Sequence, residues 1–334
     1  MSKKITAPIS TSIRQDKNID AAPKADIIML VSCINSNPNG DPDDEGRPRC
    51  DTEGHAVISN GSTKRKVRDT ITAYTDPSVG FFEGEEDKNK IFVERNSIRT
   101  QQMATVLDLK GRKELASVIK ANDVDTEGSS GEGESGAKGK GKKSPTVSRE
   151  DRAYVAKQLC DNYLDTRLFG QCLGTIGAIE GAVQIENAVS VNVVDVDDMC
   201  ITATQVANET QATTKGDRTM GRSSGVQFAL FPIYIHVNGI RAKQNGLTRK
   251  DFDRFLDILS EMYEQTNSSV RNLQFEQMFV FEHDNVRGSM SMKDIREAVQ
   301  FKTLKESPTS MNDIKIMVNE NKIKSHKGIK FYTR

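Results

Sequence analysis

Apolar positions change period several times along the chain, and each change predicts an element. The run Asp26-Ile-Ile-Met-Leu-Val-Ser-Cys-Ile34 is nearly continuous, rich in β-branched residues and closed by turn formers, which predicts a buried strand. From Ser62 to Tyr74 the period becomes helical. Val67, Thr70, Ile71 and Tyr74 share one face and Lys64, Arg65 and Arg68 point away, so a short basic helix opening at a capping serine is expected. Arg99 to Ala121 repeats that period through Met103, Val106, Leu107, Leu115, Val118 and Ile119, with a break expected at Gly111. Ser148 is placed as the N-cap of a helix through Tyr163, with Tyr154, Val155, Leu159 and Cys160 inward. Strands are predicted over residues 182–196, 200–207 and 225–237. Thr248 opens the clearest helix, where Phe252, Phe255, Leu256, Leu259, Met262 and Tyr263 recur at i, i+3, i+4 and i+7. A strand from Gln277 to Glu282, a helix from Met292 to Phe301 and a late strand from Asp313 to Val318 complete the pattern. Interleaved strands and helices imply an α+β fold, a sheet with helices on one face.

Three polar stretches interrupt it. Residues 1–25 carry no sustained apolar period and read as a flexible arm. Residues 122–148 turn Gly, Ser and Glu rich and then Lys rich, the composition of a disordered linker. The polar residues 208–224 lie between two predicted strands and should project as a long hairpin or loop.

Composition narrows the function classes. Of 334 residues, 47 are basic and 47 acidic, so the net charge is zero and any nucleic-acid binding must come from local patches. Hydrophobic residues make up 36%, enough for a core if part of the chain stays outside it. The five cysteines form no CxxC pair and are odd in number, as expected of reduced thiols in a cytoplasmic protein. No apolar run approaches the ~18 residues that span a bilayer, and residues 1–25 lack the apolar centre of a signal peptide, so no membrane partner is expected.

Candidate chemistry concentrates after the first strand. Asn37-Pro38-Asn39-Gly40-Asp41-Pro42 is a turn stiffened by two prolines, and it leads into Arg47, Arg49, Lys64, Arg65, Lys66 and Arg68. Six cations within 22 residues suit a phosphate track, although charge alone favours a solvated helix face over it. Asp41, Asp43, Asp44 and Glu45 imitate the first half of a calcium loop, but the twelfth position is Thr52 and prolines intrude, so no metal is expected. The four histidines share no ligand spacing, and Gly170, Gly174, Gly177 and Gly181 do not form a dinucleotide loop. No motif supports catalysis or a cofactor.

The turn and its basic follow-on, together with Asp165-Thr-Arg-Leu-Phe-Gly170, Gly181-Ala-Val-Gln184 and Gly216-Asp-Arg-Thr-Met-Gly-Arg222, closely resemble blocks of one family in that family's order. It is the backbone subunit of the type I-C CRISPR Cascade complex, within the RAMP superfamily of RRM-like, guide-RNA-binding proteins. The resemblance implies an RRM/ferredoxin-like antiparallel sheet core over residues 26–301 with inserted subdomains, a thumb hairpin at 208–224, and a C-terminal extension at 302–334. It implies a non-catalytic protein whose copies lie head to tail along a guide RNA and present it for pairing with target DNA. The other partners would be further Cascade subunits and a recruited helicase-nuclease. RNA contacts would fall on Asn39, Arg47, Arg49, Lys64, Arg65 and Arg68, on Thr166, Arg167, Phe169 and Gln184, and on Lys215, Arg218, Met220 and Arg222. Met220 would act as an apolar wedge between bases, or else pack under its own loop; Phe169 would stack on a splayed nucleotide, or else join the core. The alternatives are an RNA-cleaving subunit of type III kind, with Asp217 as the loop aspartate, and a general single-stranded RNA-binding module.

Overall fold

Residues 27–31 are apolar on both sides of the strand, so each face needs its own cover, and the chain supplies two. In the computed structural model, which describes residues 21–124, 147–174, 176–203 and 219–334, β1 (Ala25–Ser36) lies at the middle of a six-stranded antiparallel sheet. Its neighbours are β8 (Thr219–Val237), through Ala25↔Val237 to Ser36↔Val226, and β9 (Leu273–His283), through Ala25↔Glu282 to Cys33↔Leu273. β5 (Val183–Ile185) adds to β8, and β12 (Ile329–Thr333) adds to β9, giving the order β12-β9-β1-β8-β5.

Ile27, Met29, Val31 and Cys33 enter one core with α1 (Asn60–Tyr74) and α7 (Arg249–Gln265). Ile28 and Leu30 enter the other with Phe228, Leu230, Phe279, Phe281 and Phe331, beneath α8 (Met292–Ala298), the hairpin of β10 (Val299–Thr303) and β11 (Ile314–Val318), and α9 (Glu320–Ser325). The helices on one face are as expected, but the second face is covered too.

The strongest periodicity gave the most accurate elements. Thr248 caps α7 with a full capping box through Asp251, and Phe252, Phe255, Leu256, Leu259, Met262 and Tyr263 are all buried, each worth roughly 1.5–3 kcal/mol of burial. α1 begins earlier than expected, because Ser59 rather than Ser62 is the cap: the Ser62 amide donates to Ser59 Oγ at 3.2 Å. Gly111, at φ +76°, separates α2 (Arg99–Leu109) from α3 (Lys113–Val124). With α4 (Arg149–Asn162), capped by Ser148, these helices enclose a satellite core of Phe92, Met103, Leu107, Ile119, Val155 and Leu159.

Two readings at the C-terminal end are corrected. The helix from Met292 stops at Ala298, and Phe301 lies in β10, because pairing with β11 over the second core outweighs continued helical spacing. Residues 302–334, read as an extension, contribute β11, which matches the strand expected from Asp313 to Val318, and the unexpected edge strand β12, and Arg334 exchanges two backbone hydrogen bonds with Met278. At the other end, residues 1–20 of the expected arm lie outside the described residues, while Ala22 is buried and donates to the Leu247 carbonyl at 2.9 Å. Of the expected linker, residues 125–146 lie outside the description; α3 continues to Val124 and Val147 is buried.

The predicted strand over 182–196 divides into β5, β6 (Ala188–Val193), which pairs with β2 (His55–Ile58), and the start of β7 (Val196–Ala203). β7 pairs with the first half of β8, from Val196↔Val226 to Ala203↔Thr219. Residues 204–218 that join them, including Lys215, Asp217 and Arg218, lie outside the described residues. Met220 is opposite Thr202 in this ladder.

Candidate functional site

Tertiary structure gathers residues from three of the separated motifs at one cleft of about 530 Å³. Lys64 and Arg68 reach it from α1, Phe169 from the end of α5 (Leu164–Phe169), and Gln184 from β5. The remaining wall is the hairpin of β3 (Gly170–Leu173) and β4 (Gly177–Glu180), with Arg241 of α6 (Gly239–Asn245) beyond it. Two glycines make this junction possible. Gly170 has φ +70° and ψ −176°, a region open essentially to glycine alone, and a methyl group there would overlap the Ile179 carbonyl and the Gly181 amide. A methyl group on Gly181 would in turn overlap the Phe169 and Gly170 backbone, so the two motifs interlock through absent side chains.

Phe169 is buried, edge-on to Phe255 with ring centroids 6.3 Å apart, so it belongs to the core. The Arg68 guanidinium and the Lys64 ammonium lie 5.3 and 5.6 Å from its centroid. The ring face that would stack on a base is therefore occupied by the protein's own cations, an arrangement worth about 0.5–2 kcal/mol each. Arg68 is held by Asp165, a fully buried carboxylate that accepts from Arg68 Nε at 2.8 Å, from Phe92 N at 2.7 Å and from Val93 N at 3.2 Å. Lys64 meets no hydrogen-bond acceptor among the described residues, and burial, with the Arg68 charge beside it, draws its ammonium below the usual lysine range. A half-buried cation without an anion is a ready phosphate contact. Replacing Asp165 with Asn is expected to lower stability by about 1–3 kcal/mol, read as a shifted denaturation midpoint, because Arg68 loses its charged acceptor.

A second cleft, about 640 Å³, lies between the stiff loop and the β7–β8 ladder. The loop is tied as its composition demands: Asp41 N donates to Arg47 O at 2.8 Å, Gly46 N to Asp41 O at 2.7 Å, and Asn37 Nδ2 to Gly46 O at 2.8 Å. Arg47 and Arg222, 175 positions apart, both line this cleft. Each already faces a carboxylate, Arg47 with Asp198 at 3.2 Å and Arg222 with Glu45 at 3.5 Å, and Arg49 pairs with Asp41 at 3.0 Å. Such solvent-exposed pairs contribute ~1 kcal/mol or less, so a phosphate competes with them at little cost.

Other expected contacts face inward. Asn39 is buried, and its side-chain oxygen accepts from Ser59 N and Ser59 Oγ, which ties the turn to the cap of α1. Arg65 pairs with Asp69 and donates to the Val93 carbonyl at 3.0 Å; Lys66 donates to Thr266 O at 2.8 Å. The cations of α1 thus diverge, and only Lys64 and Arg68 share the cleft. Thr166 is fully buried, and Arg167 is enclosed by Asp251, Asn89 and the Lys88 and Cys160 carbonyls at 2.6–3.2 Å. Neither is presented to a nucleotide; Arg167 joins α4, α5 and α7.

Sequence reasoning passed over Asp165 and Arg241, and also a charged cluster at the end of the sheet. There His236 touches Asp26 and Glu186, both at 2.8 Å, Asp26 also takes His283 at 2.9 Å and Lys24 at 2.6 Å, and Arg296 pairs with Glu186 at 2.6 Å. Asp26 and His236 are 210 positions apart, and the strand register Asp26↔His236 brings them together. Among the described residues no group of three or more His, Cys, Asp or Glu side chains is arranged to hold a metal ion, and no helix is long and apolar enough to cross a membrane.

A family model described as CRISPR-associated protein Cas7 matches residues 23–319. Among solved structures, a chain of a "CRISPR RNA-guided surveillance complex, pre-nicking" is 19% identical, with 78% of each chain covered and a TM-score of 0.45. A chain of a "CRISPR RNA-guided surveillance complex" is 15% identical, covering 78% of this chain and 69% of that one, with a TM-score of 0.39. No curated protein matches the chain.

Proposed function

The chain belongs to the CRISPR-associated protein Cas7 family, and from that premise we propose that it is a non-catalytic backbone subunit of a type I-C Cascade complex in the cytoplasm. Several copies lie head to tail along one guide RNA, hold its phosphates and leave its bases free to pair with target DNA. The other Cascade subunits complete the particle, and a helicase-nuclease recruited to it cuts the DNA. Sequence recognition then rests with the guide, as in RNA-guided systems generally.

The observation that carries this reading is the shared cleft: Lys64, Arg68, Phe169 and Gln184 come from three separate motifs and meet at one wall. The second cleft adds Arg47 and Arg222. Phe169 serves by orienting Lys64 and Arg68, and Asn39, Thr166 and Arg167 serve by holding the elements in place. The succession β1-α1-β5-β8-α7-β9, with the sheet order β9-β1-β8-β5, is the βαββαβ arrangement of ferredoxin-like folds, which favours an RRM-like core carrying insertions. On this reading the β7–β8 ladder is the base of a thumb hairpin, and Lys215, Arg218, Met220 and Arg222 are its RNA contacts.

The test is co-expression with a CRISPR repeat-spacer transcript and the neighbouring subunits, followed by sizing the particle and sequencing its RNA. A large particle holding one discrete guide is expected. Each phosphate contact removed should flatten the dependence of log K on log salt by about 0.7, so Lys64→Ala combined with Arg68→Ala should flatten it by more than one. A monomer that stays monomeric with guide and partners would overturn the proposal. A magnesium-dependent RNA cut abolished by Asp217→Ala would replace it with the RNA-cleaving alternative.

A further inference from the structure

The wall of the first cleft contains a side chain that no motif singled out. Gln171, on β3 opposite Ile179, has its amide nitrogen buried in that wall, and this nitrogen has no hydrogen-bond acceptor among the described residues. A buried donor left unpaired is costly, and in folded proteins such a group generally has a partner. The cleft supplies cations for negative oxygens, Lys64 and Arg68, so the amide is the neutral donor of the set. Gln184, exposed on β5 across the Gly170–Gly181 junction, adds a second amide to the same cleft.

An amide beside two phosphate-seeking cations calls for a neutral acceptor close to a phosphate. A strand offers two: a base edge or the ribose 2′-hydroxyl. A base edge would make binding depend on sequence, whereas a subunit that holds any guide needs a contact common to every nucleotide. We therefore infer that Gln171 donates to a ribose 2′-hydroxyl next to the phosphate held by Lys64 and Arg68, and so makes this cleft select RNA over DNA. The inference rests on the RNA-binding reading above. The chemistry is that of RNA recognition in general, where the 2′-hydroxyl is the group that distinguishes the two polymers.

The experiment compares the full chain and its Gln171→Ala and Lys64→Ala variants in binding one single-stranded sequence as RNA and as DNA. A neutral hydrogen bond corresponds to about three- to tenfold in affinity. Gln171→Ala should weaken RNA binding by that factor and leave DNA binding unchanged, so the RNA-to-DNA ratio falls. Lys64→Ala should weaken both equally. A second arm needs no variant: RNAs carrying a single 2′-deoxy position, scanned along the strand, should each lose the same factor with the unaltered chain when the substitution falls at the cleft, and lose nothing further with Gln171→Ala. If Gln171→Ala weakens RNA and DNA alike, or weakens neither, while Lys64→Ala weakens both, the RNA site stands and the role of Gln171 falls. A loss that appears with one base identity only would make the acceptor a base edge and overturn the inference. An unaltered chain that binds no RNA alone or with its partner subunits would overturn the functional reading and this one together.

Discussion

Asp26→Ala is expected to cost the fold about 3–5 kcal/mol, because it leaves buried donors and charges without their acceptor. The carboxylate is 3% exposed and receives His236 Nδ1, His283 Nε2 and Lys24 Nζ at 2.6–2.9 Å. The backbone amide of Ser289 donates to His283 Nδ1, so the ring proton sits on Nε2 and faces Asp26. His236 meets a carboxylate at each nitrogen, which favours the doubly protonated ring. Burial alone would raise the Asp26 carboxyl, yet the bonds from His236, His283 and Lys24 outweigh it and hold it far below the usual range. For His236 the bond to Asp26, reinforced by Glu186, outweighs desolvation and raises the ring above its ordinary 6.5. The groups facing this ring are Asp26 on β1, Glu186 after β5, and through them Lys24, His283 and Arg296.

The pH dependence follows from those directions. A raised histidine contributes stability that is fully present below about 6.5 and is lost as pH rises through its folded value; a depressed carboxyl contributes above about 3.8 and is lost only on strong acidification. Both contributions are complete between those two values. Urea midpoints measured from pH 4 to pH 9 should therefore decline on the alkaline side, and His236→Gln should flatten that decline. An alkaline limb identical in the variant would rule out His236 as its source.

Gly170→Ala is the other large loss. The backbone region it occupies costs a residue with a Cβ about 1–3 kcal/mol, and the added methyl meets the Ile179 carbonyl and the Gly181 amide, atoms of a paired hairpin that cannot move alone. The total is expected at roughly 3–5 kcal/mol, in the range where a single change is exceptional. The comparison is Gly174→Ala, where a methyl meets nothing within 4 Å and φ is not positive, so its midpoint should stay within about 0.5 kcal/mol of the unaltered chain. Equal losses in both would show that the hairpin is sensitive to any substitution, and the interlock of the two glycines would not be the cause.

Periodicity made α7, α1 and the break at Gly111 legible, because each depends on which residues lie on one helix face and on local backbone freedom. It placed β11 within one residue, but it failed at Phe301, where the deciding partner is Ile316 on β11, and at Ile329–Thr333, an edge strand defined by β9. No window of neighbouring residues contains those partners.

The site divides along the same line. The sequence alone determined which residue types are present for phosphate chemistry: a proline-stiffened turn, six cations after it, and motif blocks carrying Phe169, Gln184 and Arg222. It also determined the helices, whose stabilising contacts recur every three or four residues. Only the tertiary structure decided which charges are available. Arg167 and Asn39 bond inward, Lys66 turns to the Thr266 carbonyl, and Lys64 keeps an open cation, because electrostatic pairing depends on distance in space. The distances that matter here span tens to hundreds of positions along the chain.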